Sequence, residues 1–149
     1  IAIRDLFASQ GLEPLRAEQG GFVRHSAGPY PILEGDALAL TTDQAGPIEA
    51  VYDRAELVAL PPEMRAAYAA SLARLTSPGV QALLVAFEYP QEMKGGPPFS
   101  VAAAEIRELF ETAFTVREVE RLDILAESPK FAEIGIPALH ETAVVLGRR

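Results

Sequence analysis

The run Ala82-Leu83-Leu84-Val85-Ala86-Phe87 constrains the fold more than any other segment of the chain. It is apolar at every position and sits between Ser77-Pro78-Gly79 and Pro90, both strong breakers. Val80 to Tyr89 therefore reads as a strand with both faces covered, the condition of a central strand in a parallel sheet. Around it the segments alternate between strand-like and helix-like patterns, which predicts an α/β architecture. Tyr30–Glu34 and Ile48–Asp53 are the other parallel strands expected. Phe114–Leu122 and His140–Leu146 are expected to finish the sheet as an antiparallel pair, with Asp123 to Leu139 an irregular connection.

Helices fit between these strands. Ile3, Leu6 and Phe7 form an i, i+3, i+4 stripe that Gly11 ends. Pro61-Pro62-Glu63 opens a second helix, with proline in the first turn and an acid near the positive end of the dipole. Met64, Tyr68, Leu72 and Leu75 are its expected buried face. Ser100 is placed to cap a third, on which Ile106, Leu109, Phe110 and Ala113 recur at helical spacing. Glu18 to Gly28 reads as a polar, glycine-containing stretch, and Thr41-Thr42-Asp43 with Gly46-Pro47 as a loop. One domain over residues 1–149 is expected.

Composition narrows the function. Of 149 residues 49% are apolar and 23% charged, as in a globular protein rather than a disordered one. No apolar run is long enough for a membrane span, and Ile1 to Gln10 lacks the core of a signal peptide, so a cytoplasmic location is expected. There is no cysteine, which excludes disulfides, thiolate metal sites and cysteine nucleophiles. His25 and His140 have no spaced partner, so no metal is expected. The net charge of −8 repels phosphate backbones and disfavours nucleic acid, leaving a small-molecule partner and a monomer as the expectation.

In open α/β sheets, ligands bind beyond the carboxyl ends of the parallel strands. That rule selects Gly35-Asp36-Ala37, Asp53-Arg54-Ala55 and Glu88-Tyr89-Pro90. An arginine at such an exit can hold a carboxylate or polarise an electron-rich heterocycle, or it can pair with the neighbouring aspartate to close a loop. Asp36 can make a turn after Gly35, or accept from the exocyclic amine of an adenine. Gly95-Gly96-Pro97-Pro98 loses two amide donors to its prolines and offers a rigid apolar wall, suited to a flat aromatic substrate or simply to a helix entry. No nucleophile elbow, phosphate loop or dinucleotide fingerprint occurs, and no catalytic residue is assigned.

Four of these stretches resemble one family. Glu49-Ala50-Val51-Tyr52-Asp53-Arg54-Ala55-Glu56-Leu57-Val58-Ala59-Leu60-Pro61 resembles the Asp-Arg-x-x-Leu-Val-Ala segment of thiopurine S-methyltransferases. Gly96-Pro97-Pro98-Phe99-Ser100-Val101 is similar to that family's Gly-Pro-Pro-Phe loop, Leu139-His140-Glu141-Thr142 to its closing strand, and Gly35-Asp36 to its adenine-side turn. The resemblance implies a class I methyltransferase (Rossmann-like) fold and S-adenosyl-L-methionine as methyl donor. It implies aromatic or heterocyclic thiols such as thiopurines as acceptors, with selenium or tellurium species a further option. Carried over by residue, Asp36, Ala37 and Arg54 contact the cofactor, and Arg54, Pro97, Pro98 and Lys130 contact the acceptor. Lys130 falls where relatives have an arginine; it keeps the charge and loses the planar fork. The family's glycine-containing cofactor loop, acidic ribose-binding residue and N-terminal lid all match positions ahead of Ile1. Residues 1–149 alone are thus expected to bind cofactor poorly. Methyl transfer from a sulfonium is an in-line displacement that needs alignment more than acid or base chemistry. The alternative is a binding or interaction module without catalysis.

Overall fold

The computed structural model describes residues 2–149. By its contacts the chain falls into two compact units, Ile1–Gly46 and Pro47–Arg149.

In the first unit, helix α1 (Ala2–Ser9) stops as its sequence requires. Gly11 adopts φ +67°, and the Leu12 N–H returns to the Phe7 carbonyl. Of the expected stripe, Phe7 is buried while Leu6 is 51% exposed. Three strands follow, β1 (Leu15–Gln19), β2 (Phe22–Ala27) and β3 (Tyr30–Glu34), forming an antiparallel meander. Two expectations are corrected here. The stretch Glu18 to Gly28 is mostly strand, and Tyr30–Glu34 is a strand without a parallel partner. The cause is local: Gly20 and Gly21, at φ +54° and +88°, make a two-residue turn, a connection that only antiparallel strands can use. Gly35 then passes close over Phe22, where any β-carbon would run into the ring. Asp36 caps a 3-10 turn over Ala37–Ala39. Helix α2 (Thr42–Ala45), in place of the expected loop, is closed by a capping box between Thr41 and Gln44.

The second unit runs β4 (Ala50–Asp53), α3 (Glu56–Ala59), α4 (Pro62–Leu75), β5 (Gln81–Glu88), α5 (Ala103–Phe110), β6 (Phe114–Asp123), α6 (Pro129–Glu133) and β7 (His140–Arg148). Its sheet has the order β4-β5-β7-β6. β4 and β5 are parallel; β7 is antiparallel to both of its neighbours. The expected α/β class and closing antiparallel pair are both present, with β5 central. Ala82, Leu84 and Ala86 are buried with Val144 and Leu146 of β7. The edge-to-face series Phe114–Phe110–Tyr68 brings α4 and α5 over that face. On the opposite face Leu83 is 40% and Tyr52 67% exposed, so the apolar run of β5 does not mean two equally covered faces. The face of α4 is also revised. Met64 is 39% exposed, whereas Arg65 is buried, because its guanidinium reaches the Leu60 carbonyl and Glu105. Its long alkyl stem and a carboxylate partner make an arginine tolerable where sequence spacing alone suggests a hydrophobe.

Candidate functional site

The exit of β4 is organised by Asp53. Side chains along β4 alternate between faces, so Asp53, its last residue, turns inward and is buried, while Arg54 just beyond the strand is exposed. Asp53 Oδ1 accepts the N–H groups of Ala55 (3.1 Å) and Glu56 (2.8 Å). Its Oδ2 accepts the N–H of Leu57 (3.3 Å) and the hydroxyl of Tyr68 (2.7 Å). One carboxylate thus serves the open amides of α3 and fastens them to α4. Burial, then the charge of Asp53 and its hydrogen bond, push the Tyr68 hydroxyl well above the usual tyrosine range. The loop-closing Asp53–Arg54 pair that the sequence allows is not formed. Arg54 instead lies 3.5 Å, Nη2 to Oε2, from Glu141 at the start of β7.

The second wall is the Gly95–Ser100 loop. Ser100 does not cap α5; its Oγ accepts the N–H of Tyr89, and its own N–H donates to Gln91 Oε1. Ala102 occupies the cap position without a side-chain bond. The Tyr89 hydroxyl donates to the Pro98 carbonyl at 2.6 Å, and Lys94 Nζ donates to the Pro97 carbonyl at 3.0 Å. The Phe99 N–H reaches the Val58 carbonyl of α3 at 2.6 Å, joining the two walls. Gly96 permits this path, since a β-carbon there would strike the Phe99 ring.

Between the walls lies a cavity of about 300 Å³. Ala55, Val58 and Ala59 line it from α3, Pro97 and Pro98 from the loop, Phe87 from the end of β5, and Arg54 supplies the cation. Three of the residues singled out in the sequence, Arg54, Pro97 and Pro98, are therefore brought together. Lys130 is exposed on α6 and is not among the residues lining this cavity; its neighbour Phe131 packs edge-on against Tyr89. Asp36 and Ala37 belong to the first unit and are exposed, with Asp36 Oδ1 accepting the N–H of Leu38. Glu141, Tyr68, Tyr89 and Gln91 have supporting parts that sequence reasoning does not assign. An aspartate just ahead of a short helix is a capping signal that could have marked Asp53 as structural. The tyrosine partners are tertiary and leave no sequence signal. Among the described residues no cluster of metal-ligating side chains occurs, and no helix is long and apolar enough to cross a membrane.

Comparison with known proteins gives a consistent result. The family model for thiopurine S-methyltransferase matches residues 1–149. A thiopurine S-methyltransferase of Pseudomonas paraeruginosa is 40% identical over 99% of this chain and 67% of its own length. One from Xanthomonas campestris pv. campestris is 42% identical over 93% of this chain and 64% of its own. The chain thus spans about two thirds of the length of these curated relatives. Among solved structures, the cyclase SpnF shares the fold, with a TM-score of 0.52 over 77% of this chain and 54% of the other at 12% identity.

Proposed function

Because this chain belongs to the thiopurine S-methyltransferase family, we propose that its gene product transfers a methyl group from S-adenosyl-L-methionine to the sulfur of an aromatic or heterocyclic thiol. The observation that carries this reading is the cavity itself, a single cation set among apolar walls at the exit of parallel strands. A flat ring is accommodated by Pro97, Pro98 and Phe87, and Arg54 favours the ionised form of a thiol placed beside it. The bound cofactor supplies an activated methyl group; the protein's share is alignment, which suits a site without a nucleophile or base. The residues present fit that cofactor in kind. Asp36 offers an exposed carboxylate that can accept from an adenine amine, beside the small Ala37. Arg54 is assigned to the junction of cofactor and acceptor, Pro97 and Pro98 to the acceptor, and Lys130 to its outer side. We further assign residues 1–149 to one methyltransferase domain of a cytoplasmic, monomeric protein.

The test is to incubate the complete gene product with S-adenosyl-L-methionine and an aromatic thiol, and to follow the S-methyl product by mass spectrometry. Formation of that product is expected. A folded protein that neither forms it nor binds S-adenosylhomocysteine would leave the non-catalytic module as the better reading.

A further inference from the structure

The Pro97–Pro98 wall does not hold itself in place. Its prolines contribute no N–H groups, and its carbonyls are reached by side chains from outside the loop. Tyr89 is 6% exposed, clustered with Ile136 and Leu139, and its ring packs edge-on against Phe131 at 5.4 Å. From that anchorage its hydroxyl meets the Pro98 carbonyl at 2.6 Å. Gln91 makes the second attachment. Its Oε1 accepts the Ser100 N–H at 2.8 Å, and its Nε2 donates to the Lys94 carbonyl at 2.5 Å and lies 3.4 Å from the Tyr89 hydroxyl. The facing wall is fixed independently through Asp53 and Tyr68. The two walls meet at the bond from the Phe99 N–H to the Val58 carbonyl, and how far Pro97 and Pro98 stand from the facing wall beyond that joint depends on where Tyr89 and Gln91 hold the loop.

We propose that Tyr89 and Gln91 are positioning residues that set the width of the acceptor cavity, and with it the choice between one-ring and two-ring aromatic acceptors. This rests on the cavity being the acceptor site, as proposed above. Neither side chain need touch the acceptor. Tyr89→Phe keeps the ring and its packing but leaves the Pro98 carbonyl without its donor, and Gln91→Ala releases the Ser100 N–H. Either change lets Pro97 and Pro98 swing back about the Phe99–Val58 joint and shifts the preference toward the larger ring.

The test compares binding of benzenethiol and 2-naphthalenethiol to the complete protein without methyl donor, by NMR titration of the wild type and both variants. A shift of roughly threefold or more in the affinity ratio toward 2-naphthalenethiol is expected in each variant, with S-adenosylhomocysteine affinity unchanged. A ratio within about twofold of wild type in whichever variant folds overturns the proposal, as does failure of the wild type to bind either thiol. Absence of methyl transfer would sink the methyltransferase reading alone, because this comparison reads binding and not turnover.

Discussion

With its side chain 61% exposed and its ion-pair contact to Glu141 at 3.5 Å, Arg54 has little part in holding the fold together. Exposed pairs of that kind contribute about 0–1 kcal/mol. Arg54→Ala should accordingly shift the melting temperature by no more than a few degrees. Methyl transfer per folded molecule should fall by roughly ten- to a hundredfold, the equivalent of about 1.5–3 kcal/mol for a charged hydrogen bond. Arg54→Lys should lose less, since it keeps the charge without the fork. Melting and transfer measured on the same samples decide the matter: full activity per folded molecule would remove Arg54 from the site. The sequence left a structural Asp53–Arg54 pair open as an alternative. The structure resolves it: Asp53, the last residue of β4, is buried against the amides of α3, while Arg54, just beyond the strand, is exposed and lies beside Glu141. That Asp53 serves a helix start was available in principle from its place just ahead of α3. The identity of the true partner was not, because Glu141 lies 87 residues away.

Short elements here are fastened by single buried side chains rather than by their own length. Helix α3 has four residues, far too few for independent stability, and depends on Asp53 for its amides. Asp53→Ala should destabilise the protein by roughly 2–4 kcal/mol, combining a lost cap with a buried Tyr68 hydroxyl left without its acceptor. Chemical denaturation of the two proteins side by side measures it. Tyr68 also gives the fold an alkaline limit. Its raised folded-state value means that the stabilisation is complete below the ordinary tyrosine value of 10.0. As pH climbs past that point the unfolded chain ionises first, and the contribution is lost progressively toward the folded value. Unfolding curves between about pH 9 and 11 should show stability dropping in the wild type and a shallower drop in Tyr68→Phe; identical slopes would contradict the burial of that hydroxyl. At this scale β5, α4, α5, β6 and β7 were legible, because strong periodicity or an unbroken apolar run marks them. The β1–β2 hairpin was not: β1 is almost wholly exposed and its Leu15-Arg16-Ala17-Glu18 alternation is too short to stand out, so Gly20-Gly21 is its clearest signal.

For the molecule as a whole, the motifs that carried the resemblance also located the cavity, since Arg54 and Pro97-Pro98 come from distant segments and meet there. What could not be read was how its walls are supported, which depends on tertiary hydrogen bonds from Tyr68, Tyr89 and Gln91. The curated relatives extend beyond the matched region by about a third of their length. If that region carries most of the cofactor contacts, residues 1–149 alone should bind S-adenosylhomocysteine at least roughly tenfold more weakly than the complete gene product. Calorimetric titration of both tests this, and equal affinity would show that the cofactor site lies within these residues. The strand order β4-β5-β7-β6 has a further consequence during synthesis. β4 and β5 can pair as soon as both have left the ribosome. β6 emerges next without its one neighbour, and its ten residues must wait for β7 to slot between it and β5. For that interval the edges of β5 and β6 that β7 will cover stand unpaired, an opportunity for chaperone capture or for mispairing with another nascent copy.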